Sequence, residues 1–324
     1  MTMQSGGQRG NWLLAAFPVK LGPSGTAEGP GNVKAVSTRT VLITGAASGI
    51  GAATARRFVD GGWFVGLADI DAEGAAALAR DLGTERALAL TLDVRDDAAW
   101  ARAAEAFGNA TGGRLDALIN NAGLLAAGPL ADLPADRLRA MVDVNLTGAA
   151  LGVQACLPLL KATPGARIVN VASISGLRAM PEAAVYSATK YALRGLSQAL
   201  RDELRPSGVA VSTVYPAFAA TPMLAAGGNG VDAKLLARLD VAGFRHYTAE
   251  SIAKAIWKAV TRGRNEAGAG GQARAMRLLA ATCPPLLALL WRLGRLRAGR
   301  AAKAAREPAP ADRPTPRPRT TGSS

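Results

Sequence analysis

The sequence has few of the residues on which disulfide and metal chemistry depend. Among its 324 residues, only two are cysteine, Cys156 and Cys283, and only one is histidine, His246. Two cysteines make no disulfide framework and are typical of a reducing cytosol. A single histidine without clustered partners argues against a metal site and against a Ser-His-Asp triad. The composition therefore favours chemistry that needs neither a bound metal nor a histidine base.

Aromatic residues are scarce at 5%, whereas positive charge is abundant, with a net charge of +14. Most of this excess lies near the C-terminus. Residues 272–324 hold 11 Arg or Lys against Glu307 and Asp312, while residues 39–271 hold 24 basic and 21 acidic side chains. Without interleaved aromatics or a known binding module, the basic tail does not indicate nucleic-acid binding. Residues 304–324, rich in Pro, Arg, Thr and Ser, are predicted to be disordered.

The first 38 residues carry a short apolar stretch, 11–18, followed by a run rich in Gly, Pro and Ser. We interpret residues 1–38 as a disordered extension, or as the product of a start codon assigned too far upstream, in preference to a secretory signal.

From residue 40 onward, short apolar runs alternate with longer helical stretches. Most of the runs lack polar–apolar alternation, as expected of strands buried on both faces. Repeated strand–helix alternation implies right-handed crossovers and a parallel sheet covered on both sides. We therefore predict an α/β fold with a doubly wound, mostly parallel Rossmann-type sheet, forming a single domain over residues 39–271. The predicted strands are 40–44, 63–68, 87–92, 116–120, 166–172 and 208–214, and the predicted helices include 50–60, 72–82, 96–107 and 134–161.

A glycine-rich turn follows the first predicted strand, with the sequence Thr44-Gly45-Ala46-Ala47-Ser48-Gly49-Ile50-Gly51. Gly45 permits the sharp turn, Gly49 removes a side chain where backbone must approach phosphate, and Gly51 lets the next helix pack closely. The N-terminus of that helix would face a pyrophosphate. The position of this turn between a strand and an Ala-rich helix predicts a dinucleotide site rather than an ordinary βα turn.

An acidic residue, Asp69, ends the second predicted strand, 24 residues beyond Gly45. A carboxylate at such a position accepts hydrogen bonds from ribose hydroxyls and repels a 2′-phosphate. Residues 45–51 contain no Arg or Lys that would attract that phosphate. Asp69 therefore favours NAD over NADP. The alternative is that Asp69, like Asp71 and Glu73, merely suits the start of the next helix.

Tyr186 and Lys190 are four residues apart in a helical stretch, so their side chains project from one face. An ammonium beside a phenol stabilises the phenolate and lowers the phenol pKa from about 10 toward working pH. Ser173 lies where the predicted strand 166–172 ends. The three side chains are therefore expected to meet at the carboxyl edge of the sheet.

In this context the sequence resembles the short-chain dehydrogenase/reductase family in its compact form. The likeness covers roughly residues 39–262. It rests on Thr44-Gly45-x-x-x-Gly49-Ile50-Gly51, Asp93, Asn120-Asn121-Ala122-Gly123, Asn145, Ser173, Tyr186-x-x-x-Lys190, and Pro216 with Thr221.

The resemblance implies a role for each matching residue. Tyr186 resembles the acid/base that exchanges the substrate hydroxyl proton, and Lys190 the residue that lowers the tyrosine pKa and binds the nicotinamide ribose. Ser173 is similar to the serine that hydrogen-bonds the reacting oxygen, and Asn145 to the residue that holds a water of the proton relay. The implied cofactor-binding set is Gly45, Ser48, Gly49, Ile50, Gly51, Asp69, Ile70, Asp93, Val94, Asn120, Tyr186, Lys190, Pro216, Phe218 and Thr221.

Within that set, Asp93 and Val94 resemble residues that contact adenine, and Asn120 resembles one near the adenine ribose. Asn121 is expected to be more structural than chemical. Thr221 and the Phe218 backbone match the segment that grips the carboxamide. By position in the family, the expected substrate-lining residues are Ser175, Leu177, Met180, Phe218, Leu224 and Phe244.

Two departures from the family pattern bear on the substrate side of the site. Ala217 stands where the family usually has glycine after the proline. Residues 263–275 have a composition that disfavours the last strand of the family fold. The sheet edge and the far wall of the pocket are therefore not predicted by the sequence.

The segment 278–291 is apolar, but its fourteen residues are fewer than the roughly 20 that a spanning helix needs. Five basic residues follow it: Arg292, Arg295, Arg297, Arg300 and Lys303. Two interpretations stay open. Residues 278–303 lie on an anionic membrane surface, or they form a terminal helix that covers the substrate pocket or packs on a second subunit.

The combined prediction is an NAD-dependent, metal-free oxidoreductase that moves a hydride between nicotinamide and a hydrophobic secondary alcohol or ketone. We expect a homo-oligomer, a dimer or a tetramer, in the cytoplasm, either free or peripheral to the inner face of the membrane. One alternative is an NADPH-dependent reductase of carrier-linked 3-oxoacyl groups, against which Asp69 argues. Another is a non-catalytic, membrane-associated NAD-binding protein, against which the complete Asn145, Ser173, Tyr186 and Lys190 set argues.

Overall fold

The computed structural model describes residues 38–218 and 245–304, with the backbone alone for 295 and 297–304. The predictions for residues 1–37 and 305–324, and for Thr221, Leu224 and Phe244, lie outside the described residues.

The apolar strands form the core of a seven-stranded sheet. In the first strand, Val41 and Ile43 face one side and Leu42 the other, and all three side chains are fully buried. A strand with apolar residues on both faces is stable only when both faces are covered. The strands are β1 (Thr40–Thr44), β2 (Phe64–Asp69), β3 (Ala87–Thr91), β4 (Ala117–Asn120), β5 (Arg167–Val171), β6 (Ala210–Pro216) and β7 (Glu266–Ala269).

Helices cover both faces of this sheet. They are α1 (Gly49–Asp60), α2 (Ala72–Leu82), α3 (Asp97–Thr111), α4 (Ala135–Val142), α5 (Gly148–Ala162), α6 (Ala184–Glu203), α7 (Ala249–Thr261), α8 (Gly271–Thr282) and α9 (Pro284–Ala304). One core cluster is built from α1, α2 and α7, and the other from α3, α5 and α6. The result is a three-layer α/β structure, which confirms the predicted fold class.

All strand pairings are parallel, and the strand order is β3-β2-β1-β4-β5-β6-β7. The direction of winding reverses between β1 and β4. In open α/β sheets, ligands bind outside the carboxyl ends of the strands at such a reversal. Thr44, Asp69 and Asn120 lie at these ends, so the topology places the predicted site residues at one edge.

The last strand corrects the expectation drawn from composition. Residues 266–269 form β7, which pairs with β6 from Thr213↔Glu266 to Pro216↔Ala269. Small residues are required here because α8 packs directly on the strand. A Cβ at Gly268 would lie 2.5 Å from the backbone nitrogen of Arg274. Local β propensity was misleading because the neighbouring elements determine this strand.

The predicted helix 134–161 is interrupted. Between α4 and α5, residues Asp143–Thr147 form a turn of π-helix, a feature that often marks functional sites. The whole stretch Ala135–Ala162 is long and apolar enough to cross a membrane by length and composition. However, α5 packs on α3, β4 and β5, and its Cys156 and Leu160 are fully buried. Burial in the core therefore explains its apolar character.

Two helices follow the sheet. Helix α8 begins at Gly271, and its Ala273 and Met276 are buried. Pro284 then opens α9, a position where a proline without an N–H is well tolerated. Both helices pack on residues that follow β5 and β6, among them Ile174, Leu177 and Ala217.

Candidate active site

The glycine-rich turn after β1 is shaped by contacts that leave no room for side chains. Gly45 and Gly49 have φ of 63° and 53°, values that favour glycine. A Cβ at Gly45 would lie 2.9 Å from the Cα of Ala122, and one at Gly51 only 1.8 Å from the carbonyl oxygen of Gly45. The turn therefore brings α1 against the sheet, as its glycine spacing predicted.

The start of α1 differs from the starts of neighbouring helices. Asp71 caps α2 and Asp96 caps α3 with their side chains, and both helices carry an acid in the first turn. Ser48 makes no side-chain cap at α1, whose first turn has no acidic residue. No acidic side chain therefore caps the first amides of α1 or lies in its first turn. A helix start of this kind, with its positive dipole end unpaired, is suited to binding phosphate.

Asp69 is held at the end of β2 beside this turn. Its carboxylate accepts hydrogen bonds from the backbone nitrogens of Ala47, at 2.8 Å, and Asp71, at 3.0 Å. Because Asp71 is itself the cap of α2, Asp69 is not needed to start that helix. Asp69 is therefore not the cap of α2, and its contact with a ribose stays a prediction.

The loop after β3 lies along the same edge. Asp93 accepts hydrogen bonds from the backbone nitrogen and the guanidinium of Arg95, and this pairing lowers the pKa of its carboxyl. The neighbouring carbonyl of Val94 accepts a 3.0 Å bond from the indole nitrogen of buried Trp100. Asp93 and Val94 thus line the same cavity as Asp69, and their contact with adenine stays a prediction.

The two asparagines at the end of β4, Asn120 and Asn121, have different surroundings. Asn120 points into the core, where its Nδ2 donates to the Ala149 carbonyl and to Asn170. Asn121 lines the cavity instead, and its Nδ2 donates to the carbonyls of Thr44 and Gly45. The structure therefore does not bring Asn120 to the cofactor cavity.

Ser173, Tyr186 and Lys190 meet at the carboxyl ends of β4 and β5. Ser173 follows β5, and its Oγ accepts a 3.1 Å bond from the Ser175 nitrogen. Tyr186 and Lys190 project from α6, with the Lys190 Nζ 5.6 Å from the centre of the Tyr186 ring. This ammonium donates a 3.1 Å bond to the carbonyl of Val171. The sequence correctly predicted that these side chains share one location.

Burial strongly affects the protonation of this pair. Lys190 is only 4% exposed, and its burial lowers the pKa of the ammonium to about 8. Burial also raises the pKa of Tyr186, whereas the sequence predicted a lowered value, and a hydrogen bond with Ser173 opposes only part of that increase. A buried amine and phenol that titrate away from their ordinary values are features of a proton-transfer site.

Asn145 lies in the π-helical turn and is almost completely buried. Its amide makes two bonds to the Leu124 backbone, accepting from the nitrogen at 2.7 Å and donating to the oxygen at 2.9 Å. It also donates to the hydroxyl of Thr189 at 3.1 Å, and Thr189 in turn donates to the Tyr186 carbonyl at 2.7 Å. Asn145 therefore connects the loop after β4 to the helix that carries Tyr186.

The substrate side of the site is apolar. Pro216, Ala217 and Phe218 continue from β6 along the cavity, and the Ala217 nitrogen donates to the Ala269 carbonyl at 3.2 Å. The methyl group of Ala217, where glycine was expected, is thus accommodated in the wall. Ser175 and Met180 line the cavity as predicted, whereas Leu177 does not, because it is packed in the core with Leu287.

One cavity of about 430 Å³ joins these parts. It extends from the glycine-rich turn and Asp69 to Ser173, Tyr186 and Lys190, and so has the continuity that a dinucleotide and a substrate require. Arg95 and Leu125 also line it, although the sequence did not predict either residue there. The position of Arg95, two residues after Asp93, could have indicated that Arg95 lies beside the same cavity. No local sequence pattern identifies Leu125. Among the described residues, no cluster of His, Cys, Asp and Glu is suited to a metal.

Comparison with known proteins places the chain in a family. Residues 39–230 match the family described as short chain dehydrogenase. The chain is 37% identical over 185 residues to the 3-alpha-(or 20-beta)-hydroxysteroid dehydrogenase of Mycobacterium bovis, which covers 57% of this chain and 70% of that protein. It is 35% identical over 202 residues to the trans-4-hydroxycyclohexanecarboxylate dehydrogenase of Sinomonas cyclohexanicum, covering 59% and 76%.

A solved structure agrees with this assignment. The short chain dehydrogenase/reductase of Burkholderia phymatum, in complex with NAD, superposes with a TM-score of 0.66 at 29% identity, covering 74% of this chain and 92% of the other. The chain belongs to the short-chain dehydrogenase/reductase family, which confirms the resemblance seen in the sequence. It is accordingly an oxidoreductase that acts on alcohols and ketones.

Proposed function

We propose that the protein is an NAD-dependent dehydrogenase of apolar, alicyclic secondary alcohols and their ketones, with Ser173, Tyr186, Lys190 and Asn145 as its catalytic set. The observation that carries the proposal is the single cavity that joins Asp69 and the glycine-rich turn to the buried Tyr186–Lys190 pair. NAD bound in this cavity supplies the hydride acceptor at its nicotinamide end.

The cofactor end of the cavity fits a dinucleotide without a 2′-phosphate. The uncapped start of α1 offers backbone amides to a pyrophosphate. Asp69, held by two backbone amides, offers its remaining lone pairs to ribose hydroxyls. The guanidinium of Arg95 lies on the same cavity but is paired with Asp93. An arriving 2′-phosphate would therefore meet a carboxylate, with the adjacent cation already neutralised.

The chemical end of the cavity suits proton transfer to and from a hydroxyl. In the direction of oxidation, Tyr186 as phenolate would accept the substrate hydroxyl proton, while the Ser173 hydroxyl donates a hydrogen bond to the reacting oxygen. The Lys190 ammonium stabilises the phenolate against the unfavourable effect of burial. Asn145 and Thr189 hold the Tyr186 turn of α6 in place through the contacts described above.

The substrate class follows from the apolar wall and from the relatives. Leu125, Met180 and Phe218 line the cavity beside Tyr186. Apolar side chains of this kind favour a substrate whose non-reacting part is hydrocarbon. The two relatives named above act, by name, on a hydroxysteroid and on trans-4-hydroxycyclohexanecarboxylate. Both names describe a hydroxyl group on a ring, so a ring-borne secondary alcohol is the substrate that we infer. The homo-oligomer and the cytoplasmic location stay predictions.

The test of cofactor choice is kcat/KM with NAD and with NADP, measured for the protein and for Asp69→Ala with one alicyclic alcohol. Loss of charged hydrogen bonds of about 1.5–3 kcal/mol should lower kcat/KM for NAD about 10- to 100-fold and leave NADP less affected. Asp71→Ala is the matched control, because it removes the same charge two residues away and disrupts only the α2 cap.

The outcomes separate the proposal from its alternatives. A preference for NADPH with carrier-linked 3-oxoacyl substrates would identify the reductase instead. NAD binding without turnover on any of a panel of cyclic alcohols and ketones would identify a non-catalytic binding protein. An NAD/NADP ratio that responds equally to both aspartate variants would remove the argument from Asp69.

A further inference from the structure

Helix α9 has two different apolar faces. On the inner side, Leu287 is 6% exposed and packs with Ile174 and Leu177. One turn further, Trp291 packs against the cluster of Leu125, Met180 and Ala183 that also holds Tyr186 and Phe218. The inner face therefore supports the substrate wall of the cavity, which explains why these residues are apolar.

The outer face of α9 is also apolar, but support of the cavity wall does not explain its apolar side chains. Five leucines of α9 are between 41% and 53% exposed, and Leu278 of α8 is 57% exposed. At 100° per residue, Leu289, Leu293 and Leu296 project from the side of the helix opposite Leu287 and Trp291. Leu286 and Leu290 project from one flank of the helix, next to this side. These five residues, which we call the outer leucine face, are Leu286, Leu289, Leu290, Leu293 and Leu296. A contiguous exposed apolar patch usually marks an interaction surface.

The charges around this patch identify its partner. Residues 271–304 contain seven Arg or Lys and no acidic residue, and Arg292 is exposed beside the leucines. A one-signed basic segment is unsuited to pairing with a second copy of itself, because the like charges would repel. Leucines flanked by basic residues are instead suited to the boundary between anionic headgroups and acyl chains.

We propose that the outer leucine face of α9 lies on an anionic membrane surface, while the inner face of the same helix supports the wall of the substrate cavity. The two interpretations left open by the sequence, a membrane segment and a cover for the pocket, thus describe opposite sides of one helix. A substrate dissolved in the bilayer would then be at high local concentration beside the cavity. Only the statement about a substrate in the bilayer rests on the proposed function. The proposed membrane binding does not depend on it.

The test uses the full-length protein and vesicles of phosphatidylglycerol or of phosphatidylcholine alone. The intact protein should co-sediment with the anionic vesicles, should bind the neutral ones about tenfold or more less tightly, and should be released as salt rises. The variant Leu289→Gln/Leu293→Gln/Leu296→Gln should lower the partition coefficient on the order of 100-fold. Its turnover of a water-soluble cyclic alcohol without vesicles should be unchanged, because these side chains face away from the cavity.

Two further variants make the result specific. Leu130→Gln/Val142→Gln removes exposed apolar side chains outside α9 and should leave vesicle binding unchanged. Trp291→Ala should keep most vesicle binding but raise KM for the alcohol.

The proposal is overturned if the intact protein does not bind anionic vesicles at low salt. It is also overturned if the triple variant binds vesicles normally but dissociates an oligomer in sedimentation velocity, since the leucines would then join copies of the chain. Turnover is measured separately from vesicle binding. A protein that binds vesicles but is inactive would therefore contradict only the proposed function.

Discussion

Replacing Lys190 by Met tests how the protein obtains a phenolate inside an apolar site. The substitution keeps a similar side-chain length and removes the charge 5.6 Å from the Tyr186 ring. At an effective dielectric constant of about 20, two charges at that separation interact by about 3 kcal/mol, which corresponds to about 2 pKa units. Since burial already raises the Tyr186 pKa, loss of the ammonium should raise it further.

The sign of the pH effect follows from the direction of the reaction. Oxidation requires the unprotonated tyrosine, so kcat rises as pH passes upward through the Tyr186 pKa. In Lys190→Met this rise should move about 2 pH units to the alkaline side. At pH 7 the variant should therefore be on the order of 100-fold slower, yet it should recover part of its rate at high pH.

The assay is initial-rate NADH formation at saturating NAD and alcohol, over about pH 6 to 11. Saturating NAD is needed because Lys190 is also expected to contact the nicotinamide ribose. The control is Lys161→Met, which removes the same charge from an exposed position at the end of α5. An unchanged midpoint in Lys190→Met, with a loss of rate equal at every pH, would refute the electrostatic argument and leave Lys190 a purely structural role.

Three further substitutions, one of them paired with a control, test single features of the structure. Tyr186→Phe should lower turnover about 10²- to 10⁴-fold and leave the NAD dissociation constant within error, as followed by fluorescence titration; wild-type turnover would end the proposed mechanism. Gly51→Ala places a Cβ 1.8 Å from the Gly45 oxygen and should weaken NAD binding and lower the melting temperature, whereas Gly195→Ala, with nothing within 4 Å, should raise stability by up to about 1 kcal/mol. Trp100→Ala empties a fully buried site and should cost about 3–5 kcal/mol in urea unfolding; a loss below 1 kcal/mol would contradict the packing seen around α3.

Features set by short-range patterns could be predicted from the sequence. The apolar runs identified six of the seven parallel strands, because a strand buried on both faces is built mainly of apolar residues. The glycine spacing predicted the tight approach of α1, since the contacts at Gly45 and Gly51 exclude any side chain. The four-residue interval between Tyr186 and Lys190 predicted that they share a helix face.

Features that depend on distant neighbours could not be predicted in this way. Residues 266–269 are poor strand formers, yet pairing with β6 and packing against α8 make them β7. Asn120 was expected near the cofactor, yet its side chain is hydrogen-bonded in the core to Ala149 and Asn170, and Asn121 lines the cavity. Leu177 was expected on the pocket wall, but α8 and α9 bury it in the core.

The sequence by itself determined the family, the glycine-rich turn, the acid at the end of β2 and the meeting of Ser173, Tyr186 and Lys190 at one edge of the sheet. Each of these depends on the chemistry of one residue or on spacing within one element. Only the tertiary structure decided which apolar residues reach the cavity, and that the two faces of α9 differ. The packing of α9 against the sheet is what hides Leu287 and Trp291 and leaves its outer leucines in solvent, and no pattern within the helix alone distinguishes the two sets.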